Sequence, residues 1–268
     1  MEDGNVAGAG FGAASYIAAG NEVQVFEAAY NSRLAVMLKG PTGCGKTRLV
    51  EQMAERFRVP LFTVSCHEDI TAADLIGKHV LAGSETVWID GPLTRAVREG
   101  GICYLDEIVE ARQDVTVAIH SLTDHRRELF IERLGGVRLA AAPGFCLVVS
   151  FNPGYQSILK DLKMSTRQRM VSIELDYPQA EIERRIVLQE SGTTEALADD
   201  LVRLGQALRR VKDAGLREAP STRLLIDAGR LIAAGLPPRQ AAIAAIVGPL
   251  TDDAALRDEI LPVVEAYL

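Results

Sequence analysis

A glycine-rich segment carries the clearest chemistry in this chain of 268 residues. The segment consists of Gly40, Pro41, Thr42, Gly43, Cys44, Gly45, Lys46 and Thr47. Its glycines allow successive backbone N–H groups to turn around a phosphate, and the helix that follows directs its positive dipole end at the same anion. Lys46 can reach the β- and γ-phosphates, and the Thr47 hydroxyl can ligate Mg²⁺. The spacing therefore predicts a nucleotide-binding loop.

An acidic pair further along the chain supplies the other half of the chemistry. Asp106 and Glu107 follow the largely apolar segment 101–105, which is typical of a buried strand. A carboxylate at such a strand end can hold Mg²⁺ directly or through water, and its neighbour can orient and polarise an attacking water. Taken alone, the pair is typical of an ordinary acidic turn. Combined with the glycine-rich loop, it predicts ATP hydrolysis, which depends mainly on positioning and charge stabilisation.

Four more polar residues could complete this site. Asn152 follows the apolar run 146–150 and could hydrogen-bond the γ-phosphate and the attacking water, or simply form a turn before proline. Arg167 and Arg169 could lie on a solvated face or reach the γ-phosphate of a neighbouring subunit. Arg223 falls in the first turn of a predicted helix. Because a cation there opposes the helix dipole, an external anion explains it better than helix stability does.

Short apolar strands alternate with helices around these residues. The buried strands are predicted at 34–38, 61–65, 101–105, 145–150 and 170–175. Strands separated by helices favour a mostly parallel sheet covered on both faces, and thus an α/β fold. Two hairpins interrupt the pattern, one with its turn at 82–85 and one around Gly135-Gly136.

Local signals predict where several helices begin. Asn21 is typical of an N-cap, and Thr71 with Asp74 has the spacing of a capping box. Pro92 occupies a favoured first-turn position. A further helix is predicted over 112–123, directly after the acidic pair.

The composition changes along the chain in a way that suggests three parts. Residues 1–20 are mostly small and predict a flexible leader. Residues 21–177 contain the strands and the loop and predict a nucleotide-binding α/β domain. Residues 178–268 contain helical patterns alone and predict a small all-helical lid domain.

Charge and hydropathy limit the functional classes. The formal net charge is −7, from 36 acidic and 29 basic side chains, which disfavours nucleic acid as the main partner. The first residues are acidic, and no apolar run approaches the roughly twenty residues that cross a bilayer. The four cysteines show no C-x-x-C spacing. We expect a cytoplasmic protein without membrane insertion or a structural metal.

With these residues in view, the chain resembles the AAA+ ATPases, within them the MoxR group, and most closely the CbbQ/NorQ (NirQ) subfamily. The resemblance runs from about residue 21 to the C-terminus. It rests on the segments LKGPTGCGKTRLVE, SCHEDITAADLIGKHVL, ETVWIDGPLTRAVREGGICYLDE, ARQDVTVAIHSL, SFNPGYQSILKDLKMSTRQRM and STRLL. It implies an AAA+ P-loop core with a five-stranded sheet, an insert in helix 2, a hairpin before the sensor-1 strand and a helical lid.

The resemblance also implies roles, cofactors and partners. The roles are Walker A for Lys46 and Thr47, Walker B for Asp106 and Glu107, sensor 1 for Asn152, trans-acting arginine for Arg167 and Arg169, and sensor 2 for Arg223. ATP and Mg²⁺ would be bound, with Thr47 and Asp106 as metal ligands. The ATPase would form a ring-shaped homo-hexamer and act with an adaptor bearing a von Willebrand factor A domain.

Two protein clients are known for the subfamily. One is Rubisco, which is freed from inhibitory sugar phosphates, and this is our first expectation for the client. The other is nitric-oxide reductase, which is matured with its metal. A monomeric P-loop kinase of a small metabolite would also use the loop, but it has no use for arginines presented to a neighbour. A scaffold that binds ATP without hydrolysis is disfavoured by Glu107, and a nucleic-acid motor by the net charge.

The hairpins and histidines have ordinary interpretations beside the functional ones. Trp88 could contact a client, but cross-strand packing is the simpler role. The arginines near the second hairpin could cluster or form a solvated surface; they are Arg126, Arg127, Arg133 and Arg138. His120 and His125 are interpreted as structural or surface residues.

Overall fold

The computed structural model describes residues 16–153, 162–210 and 218–268. Residues 1–15 of the expected leader therefore lie outside the described residues. The chain divides into two compact units. The α/β unit contains residues 18–179 together with 221–223, and the helical unit contains 180–220 and 224–268.

The α/β unit is built on a parallel sheet. Within the described ranges the strands are β1 (Ala35–Lys39), β2 (Leu61–Ser65), β3 (Gly77–Ala82), β4 (Glu85–Asp90), β5 (Ile102–Asp106), β6 (Glu128–Ile131), β7 (Val137–Ala140), β8 (Cys146–Phe151) and β9 (Met170–Glu174). Of these, five form one parallel sheet in the order β2-β5-β8-β1-β9. The inner strand β8 is buried along its whole length, as expected for a strand covered on both faces. The predicted α/β fold class is confirmed.

The strand register brings the predicted site residues to one edge of the sheet. Val149 of β8 pairs with Met37 of β1 on one side and with Leu105 of β5 on the other. The three strands are parallel, so their carboxyl ends meet at the same edge. The glycine-rich loop and Asn152 follow the ends of β1 and β8, and the acidic pair begins with the last residue of β5.

The helices mostly begin where the sequence indicates. Within the described ranges they are α1 (Glu22–Asn31), α2 (Lys46–Phe57), α3 (Ala72–Ile76), α4 (Pro92–Glu99), α5 (Gln113–Ala118), α6 (Met164–Arg167), α7 (Ala180–Ser191), α8 (Glu195–Arg210), α9 (Thr222–Ala233), α10 (Pro238–Ala242), α11 (Gly248–Leu250) and α12 (Ala254–Tyr267). The capping box of Thr71 and Asp74 is present at α3. No helix in these ranges combines the length and apolar character needed to cross a membrane.

Two helix predictions differ from the structure in detail. Asn21 holds the N-cap position of α1 without a side-chain hydrogen bond; instead, the Glu22 carboxylate accepts from the backbone N–H groups of residues 19 and 20 at 2.7 and 2.8 Å. In place of the single helix predicted over 112–123, α5 ends at residue 118 and a separate 3₁₀ turn follows at 120–122. Thr116 and Thr123 hydroxyls there donate to backbone carbonyls, which competes with regular helix formation.

Both predicted hairpins form. Strands β3 and β4 pair antiparallel, with His79 opposite Trp88. The Trp88 ring meets the His79 ring edge-on at 5.1 Å between centroids, and its Nε1 donates to Asp90 at 2.6 Å. These contacts agree with the cross-strand packing interpretation. In the second hairpin, β6 is followed by a 3₁₀ turn at 132–134 and then by the predicted turn at Gly135-Gly136.

The arginines near the second hairpin bind separate partners in the α/β unit. Arg126 pairs with Asp124 at 2.6 Å. Arg127 is partly buried and donates to the backbone carbonyls of Arg33 and Phe145. Arg127 therefore stabilises the fold of this unit. The default expectation for these arginines is instead a solvated surface.

A buried ion pair lies inside the helical unit. Arg209 donates to both carboxylate oxygens of Glu183, at 2.7 and 2.6 Å, and to the carbonyl of Pro220 at 2.9 Å. The Glu183 side chain is 0% exposed and that of Arg209 is 15% exposed. A carboxylate so deeply buried depends on its partner, because burying an unpaired charge is costly.

We expect Arg209→Ala to lower the free energy of unfolding by about 3 kcal/mol, since it leaves the Glu183 charge buried without the guanidinium that binds both of its oxygens. The measurement is urea denaturation at neutral pH, followed by circular dichroism. Arg203→Ala is the matched control, because Arg203 pairs with Asp199 at 2.8 Å while remaining 62% exposed. Its loss should stay below about 1 kcal/mol. Equal losses in the two variants would contradict a special role for the buried pair.

Candidate nucleotide-binding site

The glycine-rich loop joins β1 to α2 with a backbone that requires glycine. Gly43 and Gly45 have φ angles of 71° and 100°, in the left-handed region that side chains disfavour. A Cβ added at Gly43 would lie only 2.6 Å from Cβ and Oγ of Ser221, which belongs to the same unit. Cys44 is buried in the loop, and burial raises the pKa of its thiol. The loop thus depends on glycine both for its left-handed backbone and for its close packing.

Lys46 is a buried cation whose hydrogen bonds go to neutral carbonyl oxygens of the loop. Lys46 is the first residue of α2 and is only 7% exposed. Its ammonium donates to the carbonyl oxygens of Gly40 and Pro41 at 2.8 and 3.0 Å, and within the described ranges it has no carboxylate at ion-pair distance. Buried charges are normally paired, so an anionic group such as a nucleotide phosphate fits this position.

The two predicted metal ligands lie in one hydrogen-bonded network. Asp106 ends β5, and its Oδ1 accepts from the hydroxyl of Tyr104 at 2.7 Å and from the hydroxyl of Ser150. The Tyr104 hydroxyl is also 3.4 Å from Oγ1 of Thr47. Burial raises the pKa of Tyr104, so the phenol stays protonated. A carboxylate and a hydroxyl are oxygen ligands of the type Mg²⁺ prefers, and the network fits that ion.

Glu107 has an unusual backbone beside this network. Its φ of 53° and ψ of 48° place it in the left-handed region, which costs a non-glycine residue about 1–2 kcal/mol. The backbone N–H of Glu107 donates to Oγ of Ser150 at 3.2 Å, which holds that conformation. The pKa of Glu107 is raised, chiefly by burial, against the opposing influence of the Lys46 charge. The carboxylate is therefore a stronger base than an exposed one.

Asn152 contacts the glycine-rich loop. It follows β8 directly and is 7% exposed, and its Nδ2 lies 3.4 Å from Oγ1 of Thr42. The Tyr177 hydroxyl donates to the carbonyl of Thr42 at 3.2 Å. The structure thus brings Asn152 to the loop, as its strand position predicts, and its role toward phosphate and water stays a prediction.

The two candidate trans-acting arginines lie at the end of the short helix α6. Arg167 is the last residue of the helix and is half-buried. Arg169 donates to the carbonyl of His120 at 3.3 Å and lies 3.7 Å from Asp124. The His120 ring bonds the hydroxyl of Thr166 at 2.8 Å, so the arginine segment is fastened to the 3₁₀ turn at 120–122. The predicted structural role of His120 agrees with this contact.

Arg223 lies next to the glycine-rich loop. It is exposed in the first turn of α9, and it has no hydrogen bond or ion pair with any described residue. Its Cβ is 3.4 Å from the position that a Cβ on Gly43 would occupy. A free guanidinium beside a phosphate-type loop is consistent with the predicted interaction with an external anion.

Sequence reasoning did not identify Tyr104 and Ser150 as site residues. Tyr104 interrupts the apolar residues 102–105 of β5, two positions before Asp106 and so on the same strand face. Ser150 stands on the neighbouring strand β8. Both residues are 0% exposed. A hydroxyl in a strand predicted to be buried needs a hydrogen-bond partner, and this was the sequence signal that could have identified them.

Two family models match successive parts of the chain. The AAA domain of the dynein-related subfamily matches residues 35–170. The C-terminal domain of CbbQ, NirQ and NorQ matches residues 183–267.

Curated relatives match over nearly the whole length. The denitrification regulatory protein NirQ of Pseudomonas aeruginosa is 57% identical, over 94% of this chain and 97% of the relative. Protein NorQ of Paracoccus denitrificans is 57% identical, over 90% of this chain and 89% of the relative. Protein CbbQ of Hydrogenophilus thermoluteolus is 54% identical, over 90% of each.

Solved structures share the fold. A mutant of RuvB from Thermotoga maritima superposes with a TM-score of 0.57 over 94% of this chain and 71% of that chain, at 16% identity. At that identity the likeness shows a common fold and carries no information about substrate.

Proposed function

The chain belongs to the CbbQ/NirQ/NorQ family of AAA ATPases, and from that premise we propose that it binds ATP with Mg²⁺ and couples hydrolysis to the remodelling of a protein client. The observation that carries the proposal is the buried Lys46 ammonium, which donates to two carbonyl oxygens of the glycine-rich loop and, within the described ranges, has no carboxylate at ion-pair distance. Beside it lie two oxygen ligands and a carboxylate with a raised pKa, Glu107. This combination suits phosphoryl transfer to water.

Each residue has a defined task in this proposal. The loop N–H groups and Lys46 bind the phosphates, and Thr47 with Asp106 would hold Mg²⁺. When bound, the ion supplies positive charge against the phosphate oxygens. Glu107 orients the attacking water and accepts its proton, a task favoured by the raised pKa. Asn152 orients the water or the γ-phosphate from the next strand end.

We extend the proposal to assembly. Arg167 or Arg169 acts on the nucleotide of a neighbouring subunit in a ring, most simply a homo-hexamer, and Arg223 acts on the nucleotide of its own subunit. The fastening of the arginine segment to His120 and Asp124 supports a fixed presentation. A guanidinium held in place loses less entropy when it binds a phosphate.

The client has two candidates, both recruited through an adaptor with a von Willebrand factor A domain. Rubisco is the client expected from the sequence resemblance to CbbQ, and the relative named CbbQ is 54% identical to this chain. Nitric-oxide reductase is favoured by a different observation, since the relatives named NirQ and NorQ are 57% identical. The coupling in either case requires the ATPase cycle to discriminate between two states of the client.

One paired experiment assigns the client. With the cognate adaptor and ATP, the chain is expected to restore most carboxylation to Rubisco blocked by a tight-binding sugar phosphate, and Glu107→Gln should remove the rescue. The parallel arm measures nitric-oxide reduction in a strain that lacks this gene. Absence of carboxylation rescue, together with restored nitric-oxide reduction on complementation, assigns the reductase. Failure of both arms, with ATP hydrolysis intact, would refute both clients.

A further inference from the structure

The Tyr104 hydroxyl joins the two groups that would hold the metal ion. It lies 2.7 Å from Oδ1 of Asp106 and 3.4 Å from Oγ1 of Thr47. The residue is 0% exposed, within a strand whose neighbouring side chains are apolar. Phenylalanine would fill the same space without a polar group to satisfy, so the hydroxyl is the feature of this residue that needs an explanation.

Counting protons fixes the direction of these hydrogen bonds. An ionised carboxylate only accepts, so Tyr104 and Ser150 both donate their single hydroxyl protons to Oδ1 of Asp106. Tyr104 then has no proton left for Thr47, and the contact between them must use the proton of Thr47. Thr47 therefore donates to Tyr104, and Tyr104 donates to Asp106. This arrangement leaves the lone pairs of the Thr47 oxygen available to another partner.

Ser150 connects this chain of hydrogen bonds to the water-activating residue. While its hydroxyl donates to Asp106, its oxygen accepts the backbone N–H of Glu107 at 3.2 Å. The Tyr104 hydroxyl is 3.1 Å from the same oxygen. The buried hydroxyls of Tyr104 and Ser150 therefore both hold the Asp106 carboxylate. The Ser150 hydroxyl also holds the strained backbone of Glu107.

We propose that Tyr104 is a positioning residue for the metal ion, which orients the Thr47 hydroxyl and the Asp106 carboxylate so that both present oxygen lone pairs to it. The inference rests on the proposed function, since it concerns the metal of that same site. Tyr104 does not touch the nucleotide in this account. It acts through the two ligands and sets how tightly the metal is held.

The test compares Tyr104→Phe with Tyr30→Phe. Tyr30 is half-buried in the same unit and stacks on Phe57 at 3.8 Å between ring centroids. Like Tyr104→Phe, the Tyr30→Phe variant removes one phenol hydroxyl, so it serves as the control. Binding of Mn²⁺ in the presence of the non-hydrolysable analogue AMP-PNP is measured by electron paramagnetic resonance. Binding of a fluorescent ATP analogue in EDTA is measured separately.

Tyr104→Phe is expected to weaken Mn²⁺ binding roughly tenfold, the typical effect of losing a hydrogen bond to a charged group. Its affinity for nucleotide in EDTA should stay within about twofold of the unmodified protein, because the phosphate-binding groups are intact. Tyr30→Phe should change neither quantity.

Two results would overturn the inference. One is unchanged Mn²⁺ binding in Tyr104→Phe, and the other is an equal loss of nucleotide affinity with and without metal, which indicates a general structural role. If the unmodified protein binds no AMP-PNP at all, the proposed function itself fails, and this outcome is distinct from the other two.

Discussion

Glu107→Gln should bind ATP almost as tightly as the unmodified protein and hydrolyse it at least about a hundredfold more slowly. The carboxylate acts on water, whereas phosphate is bound by the loop and Lys46. Glutamine keeps the side-chain length and the backbone N–H that bonds Ser150, so the change removes the base and little else. Phosphate release measures turnover, and a fluorescent ATP analogue measures affinity.

The matched variant is Lys46→Ala, which should lose about tenfold to a hundredfold in ATP affinity, because it removes a buried cation that bonds the phosphates. Comparison of the two variants separates binding from chemistry. If Glu107→Gln lost as much affinity as Lys46→Ala, the assignment of Glu107 to water would be wrong.

Inactive subunits of two kinds should restore activity to each other when they are mixed. Arg167→Ala or Arg169→Ala subunits keep Lys46, and Lys46→Ala subunits keep both arginines. In a closed ring assembled randomly from equal amounts of the two variants, about a quarter of the subunit interfaces then pair an intact Lys46 with an intact arginine. We expect hydrolysis to recover to a corresponding fraction, measured as phosphate release at several mixing ratios.

Testing the two arginines separately is informative because their surroundings differ. Arg169 already binds Asp124 and the carbonyl of His120 within its own subunit, so its removal is also expected to loosen the arginine segment. The control shows by native mass spectrometry that mixed rings form. Mixed rings that stay as inactive as either parent would refute action between subunits.

The sequence predicted the local parts of the site because their signals are local. The glycine spacing, Lys46 at the start of α2 and the acidic pair after β5 all depend on residues adjacent in the chain. The strand pattern also predicted the α/β fold class, since burial on both faces leaves a continuous apolar run.

Features that depend on contacts between distant residues were not predicted. The network of Tyr104, Ser150 and Thr47 requires β8 to lie beside β5, and the loop to lie above both. The break of the helix predicted over 112–123 has a local cause instead, because the hydroxyl groups of Thr116 and Thr123 bond carbonyls three residues earlier in competition with the helix. Periodicity of apolar residues carries no information about either.

The left-handed backbone of Glu107 makes stability and chemistry conflicting requirements at one position. Glycine or asparagine would adopt the φ of 53° at lower cost, yet neither has a carboxylate to accept a proton. A search for thermally hardier variants would therefore favour replacements here that abolish turnover. Selection for heat resistance alone is a misleading guide to this turn, and engineering of the protein should hold residue 107 fixed while it improves the rest.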